Sequence, residues 1–220
     1  MAYRTLGELR GILLARLGMG GMGASGGANQ ALMDSFLSNG QTQLYWETDW
    51  RHLTKYEDKT IGYGQNLLDY PDACVKDRRI LRIETPYNGQ WRKVPEGIVT
   101  EMWSTMETLS YPKRYERFEQ LLIYPKADQI YTIRFWFIKD RLPFSETNDV
   151  ATLDDEMILL HALANAKAHY RQPDAQIYQG QLNSLLGHIR GQSFGSSGSY
   201  KRTKPGEAER KPLVIGRDVP

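Results

Sequence analysis

The residue types that could bind a metal are sparse in this sequence and poorly spaced. The histidines are His52, His161, His169 and His188. His161 and His169 are eight residues apart, whereas a helical zinc pair needs a spacing of about four and further ligands. The successive acids Asp154, Asp155 and Glu156 suit the positive end of a helix. We therefore predict no metal site, and we interpret the histidines as helix-surface or hydrogen-bonded core residues.

Two other patterns could carry nucleotide binding or catalysis. The glycines in residues 18–27 match G-x-G-x-x-G, but this motif binds a pyrophosphate only between a strand and a helix. A predicted helix precedes the glycines here, so we interpret them as a flexible linker. Cys74 is the single cysteine, and the surrounding PDACVKD does not resemble a nucleophile turn. We predict no cofactor and no enzyme, because a hydrolase would need a metal or two acids converging in a pocket.

Basic pairs that alternate with aromatic residues indicate a second class of function. They lie at residues 78–79, 92–93, 113–114 and 201–202. A platform for single-stranded nucleic acid combines such basic groups with aromatic rings. Acidic residues dilute these pairs throughout the chain, however, and the net charge is only +2. We keep a single-stranded nucleic-acid-binding module as the alternative function.

The elements that would position these residues indicate an α+β fold that begins with two helices. Residues 5–17 predict the first helix, because Thr5 and Glu8 have capping-box spacing and a helical stripe of leucines follows. Residues 29–50 predict the second helix, although Gly40 lies inside it and weakens the prediction locally. Both helices are expected to join a bundle.

An inserted antiparallel β region of about four strands is predicted over residues 76–140 or so. Residues 78–85 and 90–94 form one predicted hairpin. Residues 95–109 predict a short helix with a proline at its start. Residues 116–142 predict a second hairpin around a polar turn.

The return strand of that second hairpin has an unusual composition. Tyr131 and every second residue after it give one wholly apolar face. The opposite face carries Arg134, Trp136 and Ile138, and is therefore half apolar. Alternation alone predicts only one buried face, so this strand requires a cover for its second face.

Two further helices are predicted between residues 152 and 190, with Pro173 starting the second. They complete a core over residues 1–190. Residues 191–220 form a predicted extended arm, which carries a net charge of +3 against −1 for the core. The arm cannot pack a core of its own, and a short apolar cluster in such an arm often binds an edge or groove on a partner. The expected contact residues of the arm are Tyr200, Lys201, Arg202, Leu213, Val214 and Ile215.

Composition also bounds the compartment. No apolar run approaches the roughly 20 residues of a membrane span. The N-terminal MAYRTLGELR lacks the basic-then-apolar layout of a signal peptide. A single cysteine suits a reducing compartment. We expect a soluble protein that is made in a cytoplasm.

The order of these segments resembles one family, the head-to-tail adaptor or head-completion proteins of tailed bacteriophages. The resemblance covers roughly residues 28–190 and lies in several segments rather than in one diagnostic motif. These segments are QLYWETDW (43–50), DYPDACVKDRRILRIET (69–85), YPKRYERF (111–118), LLIYPKADQIYTIRFWF (121–137), LPFSETND (142–149) and LLHALANAKAHYRQPDAQIYQGQLNSLL (159–186). The glycines at 18–27 and Gly40 depart from the family.

The resemblance implies a structural role in the virion neck. Such adaptors are helical bundles with a β insertion, and they form a ring of about twelve copies beneath the portal. They receive the tail or nozzle protein, and a C-terminal arm grips the portal protein. DNA passes through the lumen without sequence-specific binding, and no membrane is involved. The family has no catalytic residues to carry over.

A closed ring gives each subunit two different contact surfaces. A strand that is apolar on both faces and an aromatic-rich helix end could supply them. The expected subunit-interface residues are Arg134, Trp136, Ile138, Trp46 and Trp50.

Overall fold

The computed structural model describes residues 3–19 and 27–194. Within these ranges the chain forms a helical bundle and a β region, each around its own hydrophobic core. This α+β architecture confirms the predicted fold class. Most of the glycine-rich stretch lies outside the described residues. The same holds for the proposed arm contacts Tyr200, Lys201, Arg202, Leu213, Val214 and Ile215.

Helix α1 (Leu6–Arg16) begins as the sequence predicts. The Thr5 hydroxyl accepts a hydrogen bond from the Glu8 amide at 3.3 Å. The Thr5 amide donates to the Glu8 carboxylate at 2.8 Å. The predicted capping box is therefore present, and it satisfies two amides that the helix itself leaves without acceptors.

Helix α2 (Gly27–Glu47) runs across helix α4 (Asp155–His169), and Gly40 lies where the two helices approach each other. A Cβ at Gly40 would lie 3.1 Å from His161 Nδ1 and 3.4 Å from the Ile158 carbonyl oxygen. The glycine inside α2 is thus explained by close packing. It does not interrupt the helix.

Asp154 caps α4, as predicted for the acids at the start of this helix, whereas Asp155 holds the segment before α1. The Asp154 carboxylate accepts hydrogen bonds from the Glu156 and Met157 amides. The Asp155 carboxylate accepts the Arg4 amide at 3.0 Å. Helix α4 fills the centre of the bundle and is buried along most of its length. Helix α5 (Ala175–Phe194) packs beside it and begins two residues after Pro173, which was the predicted start.

The β region extends over residues 54–138 and so begins well before the predicted residue 76. Its largest sheet has four antiparallel strands in the order β1 (Thr54–Ile61), β9 (Tyr131–Ile138), β3 (Ile80–Tyr87) and β4 (Gln90–Val94). Strand β1 was missed because TKYEDKTI alternates charged and small polar residues and contributes few apolar side chains.

A second, three-stranded sheet packs against the first in the order β2 (Leu67–Leu68), β7 (Leu121–Tyr124) and β6 (Arg114–Arg117). Strands β5 (Leu109–Ser110) and β8 (Lys126–Ala127) form a short parallel pair. The core of the β region lies between the two main sheets. The β region is therefore a small two-layer sandwich.

The hairpin predicted for residues 90–94 with 78–85 is confirmed. Its turn residues Asn88 and Gly89 have φ angles of +50° and +76°. Two left-handed turn residues suit the twist of a tight antiparallel hairpin. The hairpin prediction for residues 116–142 is wrong, because β7 and β9 belong to different sheets.

The long-range pairing of β9 explains that error. Strand β9 is a central strand whose two edges are already occupied by β1 and β3. Strand β7 has its own neighbours, β6 and β2. A sequence pattern shows that two strands alternate, but it does not show which strands become their neighbours.

Helix α3 (Thr100–Trp103) is much shorter than the helix predicted over residues 95–109. The backbone before it bonds to the second sheet instead. The Gly97 amide donates to the Tyr115 carbonyl at 2.8 Å, and the Ile98 amide donates to the Glu116 carboxylate at 3.0 Å. Gly97 also has a φ angle of +100°, which a right-handed helix does not contain, so the helix begins only after it.

The bundle and the β region meet at the C-terminal end of α2. Arg79, just before β3, donates to the carbonyls of Tyr45 and Thr48. Arg190 on α5 donates to the Glu47 carbonyl at 3.3 Å and to the Glu47 carboxylate at 2.8 Å. Two guanidinium groups thus satisfy the last carbonyls of α2 and complement the negative end of its dipole.

Candidate interaction surfaces

The second face of strand β9 is covered in part by the side chains of its own sheet. Inward-facing Ile133, Phe135 and Phe137 are fully buried in the sandwich core. On the outward face, Arg134 and Trp136 are half-buried among residues of β1, β3 and β4. The structure therefore brings these two predicted interface residues together on one sheet face.

Arg134 is held in one orientation by Asp58 on β1. Its Nε and Nη2 atoms each donate to the Asp58 carboxylate at 2.7 Å. These hydrogen bonds lower the pKa of the Asp58 carboxyl. The guanidinium carbon lies 3.9 Å from the ring centroid of Trp91 and 4.7 Å from that of Tyr56. Arg134 thus sits between two aromatic rings with its charge already paired.

Trp136 is fixed in a similar way. Its indole N–H donates to the Glu84 carboxylate at 2.7 Å. The Tyr56 ring lies 5.2 Å from the Trp136 ring between centroids, and the Arg82 guanidinium carbon lies 4.5 Å from it. The outer rings remain open, however, since Tyr56 is 58% exposed and Trp91 is 41% exposed. We call Tyr56, Arg82, Trp91, Arg134 and Trp136 the sheet-face patch.

The other predicted interface residues are not together with this patch. Trp46 is half exposed at the junction, edge-on to Tyr45 and 5.2 Å from the Arg79 guanidinium carbon. Trp50 is only 3% exposed, and its indole N–H donates to the Leu44 carbonyl at 3.0 Å. Trp50 therefore belongs to the core of its own chain, where it follows the end of α2.

Ile138 must also be corrected. It lies at the end of β9, is fully buried, and packs in the core of the bundle. The strand passes from the β region to the bundle at this point, so the outward face of β9 becomes interior. A fully buried side chain presents no surface to a neighbouring chain, and we leave Trp50 and Ile138 out of the subunit interface.

A second exposed aromatic cluster escaped sequence analysis. Trp103 on α3 and Phe118 in the turn between β6 and β7 meet edge to face, 6.2 Å between ring centroids. They are 46% and 50% exposed, and Val99 beside α3 is 44% exposed. We call these three residues the α3 patch. Its members are far apart in sequence, and the sequence predicted only a helix over residues 95–109, without Phe118.

The two patches lie on opposite sides of the β sandwich. Tyr115 and Ile123 of the second sheet face the shared core, so the alternating residues Glu116 and Tyr124 face outward. The segment around α3 bonds to these outward residues, through the Ile98 amide to Glu116 and through the Thr105 hydroxyl to the Tyr124 hydroxyl at 2.7 Å. The order of layers is therefore the sheet-face patch, the four-stranded sheet, the three-stranded sheet and the α3 patch.

The residues considered for chemistry have structural roles. Cys74 is buried, and burial raises the pKa of its thiol to about 12, so it remains protonated at neutral pH. His161 shares hydrogen bonds with Gln43 at 2.8 Å and Asn165 at 3.0 Å. Among residues 3–19 and 27–194, no group of three or more His, Cys, Asp or Glu side chains could hold a metal ion.

Several arginines of the basic pairs are also engaged within the chain. Arg78 donates to the Phe118 carbonyl at 3.0 Å, and Arg114 donates to the Gly97 carbonyl at 3.0 Å. Arg117 lines an open groove of about 470 Å³ with Arg78 and Arg79, but it is paired with Glu96 at 2.7 Å. Guanidinium groups that already bond to the chain favour a structural use over phosphate binding. The pair at 201–202 lies outside the described residues.

None of the described helices is long and apolar enough to cross a membrane.

Comparison with known proteins agrees with the architecture. A search of curated proteins found no match. The model of the SU10 adaptor protein family matches residues 4–204, which include the bundle, the β region and the beginning of the predicted arm. This match confirms the family resemblance and the prediction that the protein is a structural adaptor. The chain belongs to the SU10 adaptor family of phage head-to-tail adaptors, and is thus a structural component of the virion.

Proposed function

We propose that this adaptor assembles into a ring beneath the portal and joins the capsid to the tail. The observation that carries the proposal is the pair of unlike aromatic patches on opposite sides of the β sandwich, in a member of an adaptor family. A ring of identical subunits closes through a heterologous interface, in which two different surfaces of each copy are used. The role is one of assembly, without catalysis.

The partners follow from this placement. The portal protein lies on one side of the ring and a tail or nozzle protein on the other, with about twelve copies between them. The arm residues Tyr200, Lys201, Arg202, Leu213, Val214 and Ile215 contact the portal. Residues 191–220 carry a net charge of +3 and an apolar LVI cluster, a combination that suits an extended segment binding a groove.

The channel of the ring passes DNA without reading its sequence. Residues 1–190 have a net charge of −1, and the described arginines near the junction are paired within the chain. Unpaired cations that neutralise phosphates release counterions and so bind DNA tightly. A lumen with few such cations lets the DNA move through it. Assembly takes place in the cytoplasm of the bacterial host.

The test is co-expression of the chain with the portal protein of its own phage. We expect a complex that electron microscopy shows as a ring coaxial with the portal. A chain that stays monomeric, does not bind the portal and is absent from purified virions would contradict the proposal.

The arm has its own test. Deleting residues 201–220 should weaken portal binding and leave the circular dichroism and thermal transition of the core unchanged. Full portal binding by the shortened chain would remove the arm from the interface. A matched control replaces only the cluster, L213S/V214S/I215S, and should give most of the same loss if the apolar contact is the important one.

A further inference from the structure

We propose that the ring closes by packing the sheet-face patch of one copy against the α3 patch of the next copy. This inference rests on the proposed ring and names its subunit contact. The sheet-face patch offers the open rings of Tyr56 and Trp91, and the α3 patch offers those of Trp103 and Phe118. The occupant of each patch is therefore a second copy of this chain.

The layer order of the sandwich supports a head-to-tail contact. The two patches are separated by both sheets and face away from each other, so one subunit cannot join them. Two patches on opposite sides of one rigid layer place every subunit between two neighbours, and the repeated contact forms a ring when the rotation between neighbours closes. A symmetric dimer would instead use the same patch twice.

The composition of the sheet-face patch suits an anchor region. Tryptophan, tyrosine and arginine are the residues that most often dominate binding at protein interfaces. Arg134 and Trp136 are already fixed by Asp58 and Glu84, so their orientation is set before the neighbour arrives. Pre-organised side chains lose little rotamer freedom on binding.

Charge distinguishes the two patches and favours their mutual contact. Residues 95–110, around α3, contain the acids Glu96, Glu101 and Glu107 and no lysine or arginine. Glu96 pairs with Arg117 and Glu107 pairs with Lys126, so among the described residues Glu101 is the acid of this segment without an ion pair. The outer sheet face carries three cations, Arg82, Lys93 and Arg134, against the two acids Asp58 and Glu84. These side chains lie on one face by alternation and register.

The remaining charges make the complementarity specific. The Lys93 side chain is exposed at the edge strand β4, and Glu101 is exposed on α3 beside Trp103. Within the described residues neither side chain forms an ion pair inside the chain. Arg82 and Arg134 are paired with Glu84 and Asp58. Two like patches would therefore bring Lys93 toward Lys93 or Glu101 toward Glu101, whereas the unlike pairing brings Lys93 toward Glu101.

The test uses two double variants, each of which lacks one of the two patches and keeps the other. Y56E/W91E removes the sheet-face patch, and the new carboxylates lie beside Arg134, which can pair with them and preserve the fold. W103E/F118E removes the α3 patch. I177E changes an exposed residue of α5, away from both patches, and serves as the matched control.

Native mass spectrometry and sedimentation measure the oligomeric state of each variant, at a concentration where the wild type forms rings, alone or on the portal. Each double variant should assemble about tenfold or more weakly than the wild type, and I177E should assemble normally. Mixing the two double variants should give one-to-one heterodimers that do not grow, because only one intact contact can form. Circular dichroism checks the fold, and W91S with W103S form a milder second pair if a double variant unfolds.

The outcomes separate this contact from the proposed function. Normal rings from either double variant, or homodimers of the W103E/F118E variant through its intact sheet face, overturn the contact and leave the adaptor function standing. A wild type that forms no oligomer, alone or with the portal, overturns the proposed function itself and this inference with it.

Discussion

The helical bundle and the β region bury their cores equally well but present different surfaces. Among the residues that the structure describes, 17 large hydrophobic side chains are exposed, and 12 of them lie in the β region at residues 54–138. The central helix α4 of the bundle is buried along most of its length. The difference indicates that both regions stabilise the subunit through their cores, whereas the β region exposes most of the large apolar side chains that the described surface offers.

The largest effect should come from emptying either core. Leu159→Ala in the bundle and Phe135→Ala in the sandwich each remove a fully buried side chain. We expect losses of about 2–5 kcal/mol for the leucine and about 3–5 kcal/mol for the phenylalanine in the free energy of unfolding. Urea titration followed by circular dichroism measures both. A loss below 1 kcal/mol at Phe135 would mean that the sandwich contributes little to stability and would break the comparison.

An intermediate effect is expected where the two regions are joined. Arg79→Ala removes the hydrogen bonds to the carbonyls of Tyr45 and Thr48 and the stacking on Trp46. The unpaired carbonyls and lost contacts should cost about 1–3 kcal/mol. Amide hydrogen exchange should show faster exchange at the end of α2 and the start of β3, with α4 unchanged. Arg82→Ala, on the open sheet face, is the matched control and should leave that exchange pattern intact.

A smaller, pH-dependent effect should be confined to the bundle. Burial lowers the pKa of His161 below its unfolded value of about 6.5. The unfolded chain therefore binds more protons than the folded chain as the pH falls through that value. The His161 contribution is complete above the unfolded pKa, decreases below it, and levels off below the folded pKa.

The measurement compares urea midpoints at about pH 7.5 and about pH 5.5. The wild type should lose more stability over this interval than His161→Gln, because glutamine does not titrate. His188→Gln, which changes an exposed residue of α5, is the control and should keep the wild-type pH dependence. Equal pH dependence in the wild type and His161→Gln would show that folding does not shift the pKa of the buried imidazole.

The smallest effect on stability should come from the exposed aromatics of the β region. Tyr56→Ser removes a ring that is 58% exposed and that contacts Trp136 and Arg134, and we expect a loss of about 1 kcal/mol or less in the free energy of unfolding. The same substitution should have a clear effect on assembly and weaken ring formation. Thermal melting and sedimentation of the same sample test both statements. A large loss of stability would show that Tyr56 mainly supports Trp136.

Local sequence signals predicted local structure well. The capping box of Thr5 and Glu8 and the tight turn at Asn88 and Gly89 depend on residues a few positions apart, and both are present. Strand β1 and the separate sheets of β7 and β9 depend on pairing over long distances, which no local pattern encodes. The family resemblance supplied the structural role.

The candidate surfaces were predicted only in part for the same reason. Arg134 and Trp136 were placed on one face by alternation, and that placement is correct. Burial of Ile138 depends on the bundle that receives the end of β9, and burial of Trp50 depends on the chain leaving α2. Trp91 and Tyr56 join Arg134 through strand pairing, and Trp103 meets Phe118 across a loop.

The two arginines at the end of α2 have a mechanical consequence. Arg190 lies on the last described helix, four residues before Phe194, and Arg79 leads into β3. Both arginines donate hydrogen bonds to neighbouring carbonyls near the end of α2. A pull on the chain beyond α5 is therefore transmitted through one helix end directly to the β sandwich. The same pull also reaches the core of the bundle, because α5 packs along α4. The end of α2 therefore gives tension on α5 a second route, which leads into the β sandwich.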